Sequence, residues 1–235
     1  MNKKLVAVPL LVAIGLSMCG FVYAHWTSTV YINGKANTGC LMLGFTDKTP
    51  AEPPVVDEWW KDLSGVLHHG EYLGKDVANG SASLTGPITC PQTGLSGFNE
   101  LDFAVDNAYP GYLVHTTFNL LNLGTIPIDL QKYLITGQKR DSAGIVVYNL
   151  IYFYNKTELM GYLYEDINKN GIIDAGDVKV ISIYISNSLP QQYDPYSEPH
   201  KREIDLDFEQ QAEQCHTYTI HVTLFGIQWN KVNEP

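Results

Sequence analysis

The chain has 235 residues, 45% of them hydrophobic and 17% charged, which suits one full-sized domain and excludes a disordered or coiled-coil rod. Acidic side chains outnumber basic ones 25 to 15, a formal charge of -10, the wrong sign for a protein that grips nucleic acid through phosphate neutralisation. With 11% aromatic residues, the balance is that of a strand-rich, well-packed body.

Asn2, Lys3 and Lys4 precede an apolar stretch from Leu5 to Val22, which leaves through Val22-Tyr23-Ala24. A positive start, an apolar centre and a small-residue exit describe a secretory signal peptide over residues 1–24, cleaved after Ala24. The competing reading is an uncleaved anchor, because about 18 apolar residues just span a bilayer. Cys19 follows Met18 where a lipoprotein signal needs a small residue, so lipidation is not expected. Cleavage removes two lysines and no acids, so the 15 basic residues become 13 against 25 acids, and an acidic extracellular protein without membrane contact results.

Alternation governs the mature chain. In His25–Asn33 the residues Trp26, Ser28, Val30 and Ile32 share one face, and Asn33-Gly34 ends the strand, so residues 25–34 form an N-terminal strand ahead of a body over 35–235. Cys40–Phe45 is a second apolar run. Thr46–Glu58 reads as a loop because Pro50, Pro53 and Pro54 cannot serve a ladder. Trp59 to Leu67 reads as a short surface helix, and the Gly, Ser and Asn mixture up to Cys90 reads as loop. Strands are then predicted over Glu100–Val105, Tyr112–Leu121, Ile126–Leu130, Gly144–Tyr154, Met160–Tyr164, Val178–Ser186, Glu203–Phe208 and Thr217–Trp229. Eight to ten short strands predict an all-β fold, a two-sheet β-sandwich of jelly-roll type.

After cleavage three cysteines remain, Cys40, Cys90 and Cys215. In an oxidising compartment one bridge and one spare thiol are expected, with the pairing open. Asn79-Gly80-Ser81 and Asn155-Lys156-Thr157 are glycosylation sequons at Asn79 and Asn155.

Residues 166–177, Asp-Ile-Asn-Lys-Asn-Gly-Ile-Ile-Asp-Ala-Gly-Asp, form the sharpest chemical motif. Oxygen side chains stand at loop positions 1, 3, 5, 9 and 12, a glycine stands at 6, and Ile173 at 8 is placed to tether the loop to the core. Asp166, Asn168, Asn170, the Ile172 carbonyl, Asp174 and Asp177 form a calcium ligand set of the EF-hand or dockerin type, with a structural role for the ion. Aspartate at position 12 in place of glutamate and strand-like flanks depart from that pattern, so affinity of about 10⁻⁴ to 10⁻³ M is expected. The alternative is a hairpin turn on Asn170-Gly171 ringed by solvated acids.

His25-Trp26-Thr27-Ser28-Thr29-Val30-Tyr31-Ile32-Asn33-Gly34 followed by Asn37-Thr38-Gly39, directly behind a signal peptide, resembles the start of the TasA/camelysin family of secreted fibre subunits. So do Asn107-Ala108-Tyr109-Pro110-Gly111-Tyr112 and Asn122-Leu123-Gly124-Thr125-Ile126-Pro127. The closing Cys215-His216-Thr217-Tyr218-Thr219-Ile220-His221-Val222, with Ile227-Gln228-Trp229, is most similar to the archaeal bundling pilus subunits. The resemblance covers both ends of the body but not Thr46 to Cys90. It implies a jelly-roll subunit that polymerises outside the cell by donating residues 25–34 to a neighbouring copy, with Trp26, Ser28, Val30 and Ile32 entering that neighbour and filaments bundling laterally.

Two other classes compete: a monomeric surface module holding carbohydrate on Trp59, Trp60 and Tyr72, and a secreted hydrolase. No enzyme is expected. His68-His69-Gly70-Glu71 lacks the spacing of a zinc protease helix, no Gly-x-Ser-x-Gly elbow occurs, and Asp205 and Asp207 are expected on a solvated strand face opposite Ile204, Leu206 and Phe208.

Overall fold

The computed structural model describes residues 39–46, 54–70, 78–186 and 191–228. The signal peptide, the N-terminal strand with Trp26, Ser28, Val30 and Ile32, and Tyr72 lie outside the described residues. Among the described residues there is no helix, and the protein is all-β with every ladder antiparallel. The strands are β1 (Leu43–Thr46), β2 (Val55–Lys61), β3 (Leu67–His69), β4 (Asn79–Thr89), β5 (Ser96–Asp106), β6 (Tyr112–Asn122), β7 (Ile128–Arg140), β8 (Val146–Asn155), β9 (Met160–Glu165), β10 (Val178–Ile185), β11 (Gln191–Tyr193), β12 (His200–Phe208) and β13 (Thr217–Gln228).

Nine of them pair in the order β1-β5-β13-β7-β8-β9-β10-β12-β6, and β1 returns to β6, so the hydrogen-bonded sheet closes into a barrel-like ring. Strands β2 and β3 extend from β6, β4 lies along β5, and β11 lies along β7.

The ring forms because its strands carry one apolar face each. On β6, Tyr112, Val114, Thr116, Phe118 and Leu120 are buried and the residues from Leu113 to Asn119 between them are half-exposed. On β13 Tyr218, Ile220 and Val222 do the same, and on β12 Ile204, Leu206 and Phe208 are buried while Glu203, Asp205 and Asp207 face outward, as the alternation requires. Tyr218, Phe208 and Tyr112 meet edge-on or tilted at ring separations of 5.2 and 6.0 Å in the centre.

The region between Thr46 and Cys90 corrects the sequence reading. The expected surface helix at Trp59 is strand β2 running into β3, and β2 reaches back to Val55 inside the expected loop. The edge of β6 from Tyr112 to Thr117 offers backbone groups that only a strand satisfies, and β2 pairs it residue for residue. Asp62 makes the turn into β3 by accepting the N–H groups of Ser64 and Val66. The loop expected before Cys90 is strand β4, whose weak β-formers are held by pairing along β5 from Asn79 to Thr89. The strand expected over Ile126–Leu130 begins at Ile128 and runs to Arg140.

Candidate assembly edge and cation loop

Among the described residues β4 forms a ladder with one strand, β5, although it is eleven residues long. Natural edge strands are usually short, charged or covered, because a row of unpaired N–H and C=O groups recruits another chain. The sequence of β4, Asn-Gly-Ser-Ala-Ser-Leu-Thr-Gly-Pro-Ile-Thr, carries no charge. Its apolar side is also incompletely covered. Ala82 and Leu84 from β4, Val56 and Trp60 from β2, and Leu43 from β1 pack on the core yet remain half-exposed.

A cleft of about 570 Å³ lies beside this edge, with Leu84, Val56, Pro54, Thr46 and Phe118 in its lining and Asp57, His115 and Lys201 at polar positions. It opens where the ladder on β6 passes from β1, which ends opposite Asn119, to β2, which begins opposite Thr117. The Glu58 carboxylate accepts the N–H of Gly80 at 2.6 Å and links β2 to the first residues of β4.

The outer faces carry His–Asp pairs. Registers place Asp57 and Asp205 on either side of His115, whose Nδ1 is 2.6 Å from Asp205 Oδ1. Between β5 and β13 the Asp102↔His221 register gives a second pair at 2.6 Å. Glu100 completes a half-buried group with them, its ligand atoms and theirs all lying within 4.8 Å. Thr85 donates to Asp102 at 2.6 Å, so that carboxylate already has two partners. Sequence reasoning missed this cluster; the signal was polar residues at alternate positions of two strands, and only the register joins them. His68 and His69 have Asp62 and Asp57 as partners. Trp59 and Trp60 are successive residues of one strand and point to opposite faces, Trp60 onto the core and stacked on His68, Trp59 against His69, so the two do not form one platform.

Residues 166–177 connect β9 to β10, whose ladder ends at Glu165↔Val178. The loop is therefore a twelve-residue connection that turns at Asn170-Gly171. Its oxygens are taken up by the loop's own N–H groups, and the carboxylates of Asp166, Asp174 and Asp177 do not all lie within 4.8 Å of one another. Asp166 accepts the N–H groups of Asn170 and Gly171 at 3.0 and 2.9 Å, and Asp177 accepts those of Ile167 and Asp174 at 3.1 and 2.9 Å. Asn168 and Asn170 donate their side-chain amides to Asp174. Gly171 has φ +74°, the left-handed turn that position 6 demands. Ile172 enters through its N–H, which donates to Asn170 at 2.7 Å, and its side chain is exposed, while Ile173 is half-buried. The N–H of Gly176, followed by the amides of Asn168 and Asn170, holds the Asp174 carboxyl below its ordinary range.

The root of this loop is a buried ion pair. Glu165, next to Asp166, accepts Lys139 Nζ at 2.8 Å, and Glu213 accepts it at 2.8 Å from the half-open side. Burial opposes the charge on Lys139, but the two carboxylates outweigh it and its pKa is raised. Burial likewise pushes Glu165 upward against the pull of Lys139, whereas the more exposed Glu213 is drawn down by its hydrogen bond from Lys139.

Of the two sequon asparagines, Asn79 is exposed as the first residue of β4, and Asn155 is the half-exposed last residue of β8, its side-chain oxygen accepting Thr157 N–H at 3.0 Å. Cys40 and Cys90 share one apolar cluster, and Cys215 is exposed elsewhere. No family model, no curated protein and no solved structure matches this chain.

Proposed function

We propose that the chain is a secreted structural subunit of the TasA/camelysin type, nearest the archaeal bundling pilus subunits, and that it polymerises on the cell surface into an extracellular pilus or biofilm-matrix filament. The observation that carries this reading is the long, uncharged edge of β4 beside a half-covered apolar cleft. In this reading the ring is a flattened jelly roll, and residues 25–34 of a neighbouring copy add to β4 by main-chain hydrogen bonds while Trp26, Val30 and Ile32 fill the cleft. Ser28 fits under the crowded point.

Nine residues span about 30 Å at about 3.3 Å each, which suits the eleven residues of β4. A buried Trp26 removes on the order of 150–250 Å² from water, about 4–6 kcal/mol at ~25 cal/mol per Å² before ordering costs. Donor and acceptor are different surfaces, so the contact does not close on itself and builds a filament that bundles through exposed faces. Calcium held by residues 166–177 fixes the β9–β10 hairpin and takes no part in chemistry. Signal cleavage after Ala24 frees the donor.

The test is deletion of residues 25–34 with electron microscopy of cell-surface material. Filaments are expected from the intact chain and a soluble, folded body from the deletion. Wild-type filaments from the deletion mutant overturn the proposal.

A further inference from the structure

We propose that Cys40 and Cys90 form a disulfide that locks the root of the N-terminal segment to the end of β4, leaving Cys215 as the free thiol.

The two cysteines lie 50 positions apart in sequence and meet in one apolar cluster with Leu121 and Leu123, flanked by Met42, Ile88 and Leu95. The two thiols act on each other's ionisation, as neighbours in that cluster do. What holds them there is backbone, not chance side-chain contact. Both residues are fastened to the same short segment, Leu123–Thr125. Cys40 donates its N–H to Thr125 Oγ1 at 2.9 Å and its carbonyl accepts Thr125 N–H at 2.9 Å. From the other side, Thr93 in the turn after Cys90 donates to the Leu123 carbonyl at 2.6 Å, and that turn is closed by Cys90 N–H to Leu95 and Gly94 N–H to Cys90. At Gly124 the approach is so close that a Cβ would lie 2.1 Å from the Cys40 carbonyl oxygen, so glycine is required where the cysteine strand passes.

Cys215 is out of reach. It sits beside Asn107, one residue beyond the end of β5, whereas Cys90 precedes the start of β5, and an eleven-residue strand of about 33 Å separates the two ends. A bridge needs Cα atoms within about 7 Å.

The chemistry is thiol–disulfide exchange with an external disulfide oxidant, a glutathione-type molecule or an oxidised protein dithiol. Cys40, half-exposed, attacks a sulfur of the oxidant through its thiolate and releases one thiolate. The Cys90 thiolate then attacks the Cys40 sulfur and expels the second. The two protons from Cys40 and Cys90 pass to the released thiolates, so two protein thiols and one oxidant disulfide become one protein disulfide and two small thiols. The resolving step suits Cys90: burial opposes its ionisation, but hydrogen bonds from Cys40, Thr93 and Gln92 bring its pKa down to about 7, while burial pushes Cys40 up to about 11. The bridge closes the loop that contains β1 to β4, of which β1, β2 and β4 line the cleft, and so restrains them in the unfolded chain.

Mass mapping of the full chain under non-reducing conditions, after equilibration with oxidised glutathione and then alkylation, tests the assignment. The Cys40 peptide is expected linked to the Cys90 peptide, with Cys215 alkylated. A linkage through Cys215, or alkylation of both Cys40 and Cys90, overturns it. Melting the same oxidised protein with and without reductant needs no variant, and reductant is expected to lower the midpoint by on the order of 10 °C. The drop is expected to persist in Cys215→Ser and to vanish in Cys40→Ser; an equal drop in Cys40→Ser overturns the bridge.

Discussion

The β4 side of the ring and the β9–β10 side are both built on antiparallel hairpins, yet they leave opposite things undone. At β9–β10 the backbone is paired on both sides, the connecting loop satisfies its N–H groups with its own Asp and Asn oxygens, and a buried lysine with two carboxylates anchors the base. At β4 the apolar floor is half-covered, one edge has no strand among the described residues, and β4 carries no charge of its own, the Glu58 carboxylate of β2 taking up the Gly80 N–H. A region whose polar groups are satisfied internally needs a small ion at most; a region with open backbone and apolar surface needs another chain. That contrast supports reading the first as a brace and the second as a docking edge.

The sharpest way to break the comparison is Leu84→Asp. A carboxylate in the cleft is expected to abolish filaments while the purified body keeps its β-sheet circular dichroism, since Leu84 is only partly buried. Filaments of normal yield from that variant would sink the proposed docking edge. On the other side, Lys139→Met leaves Glu165 buried without a counter-charge and is expected to cost about 3–5 kcal/mol in a denaturant titration. It should leave the cleft unaffected.

Calcium at about ten times its dissociation constant is expected to stabilise the intact chain by about 1.4 kcal/mol, read as a rise in melting temperature, and to leave Asp166→Ala unchanged. Equal shifts in both proteins would reduce the loop to a turn. The smallest effect concerns pH. Asp174 and Glu213 have depressed pKa values, so the stability they contribute is present above the ordinary carboxylate range and is lost as pH falls through the depressed values. Glu165 is raised, so its contribution has the opposite sign and fades as pH rises through its pKa. Melting curves between about pH 5 and pH 2 are expected to fall with acid, and less steeply in Lys139→Met, where Glu213 has lost the hydrogen bond that depresses it.

From Glu100 onward most strand positions were legible because each carries its own period-two pattern, as Tyr112 to Leu120 and Tyr218 to Val222 show residue by residue, but residues 131–140 of β7 and all of β11 were not. The loop at 166–177 was legible for a similar reason, since its oxygen-bearing residues are contiguous and their hydrogen bonds local. The segment from Thr46 to Cys90 was not. Neither Val-Val-Asp-Glu-Trp-Trp-Lys nor the Gly- and Ser-rich β4 has a strong strand signal, and both extend because β6 and β5 present edges to them. The Glu100, Asp102 and His221 group was invisible for want of a register.

Composition and alternation therefore determined on their own that this chain is acidic, all-β and assembled from one-sided strands, because burial of an apolar face is written locally, every second residue. Which strand has one ladder partner among the described residues, which cysteines share a cluster and which histidines find aspartates were decided only by the closing of the ring, because those are relations between residues up to 119 positions apart, and hydrogen-bond register, not local preference, brings them together.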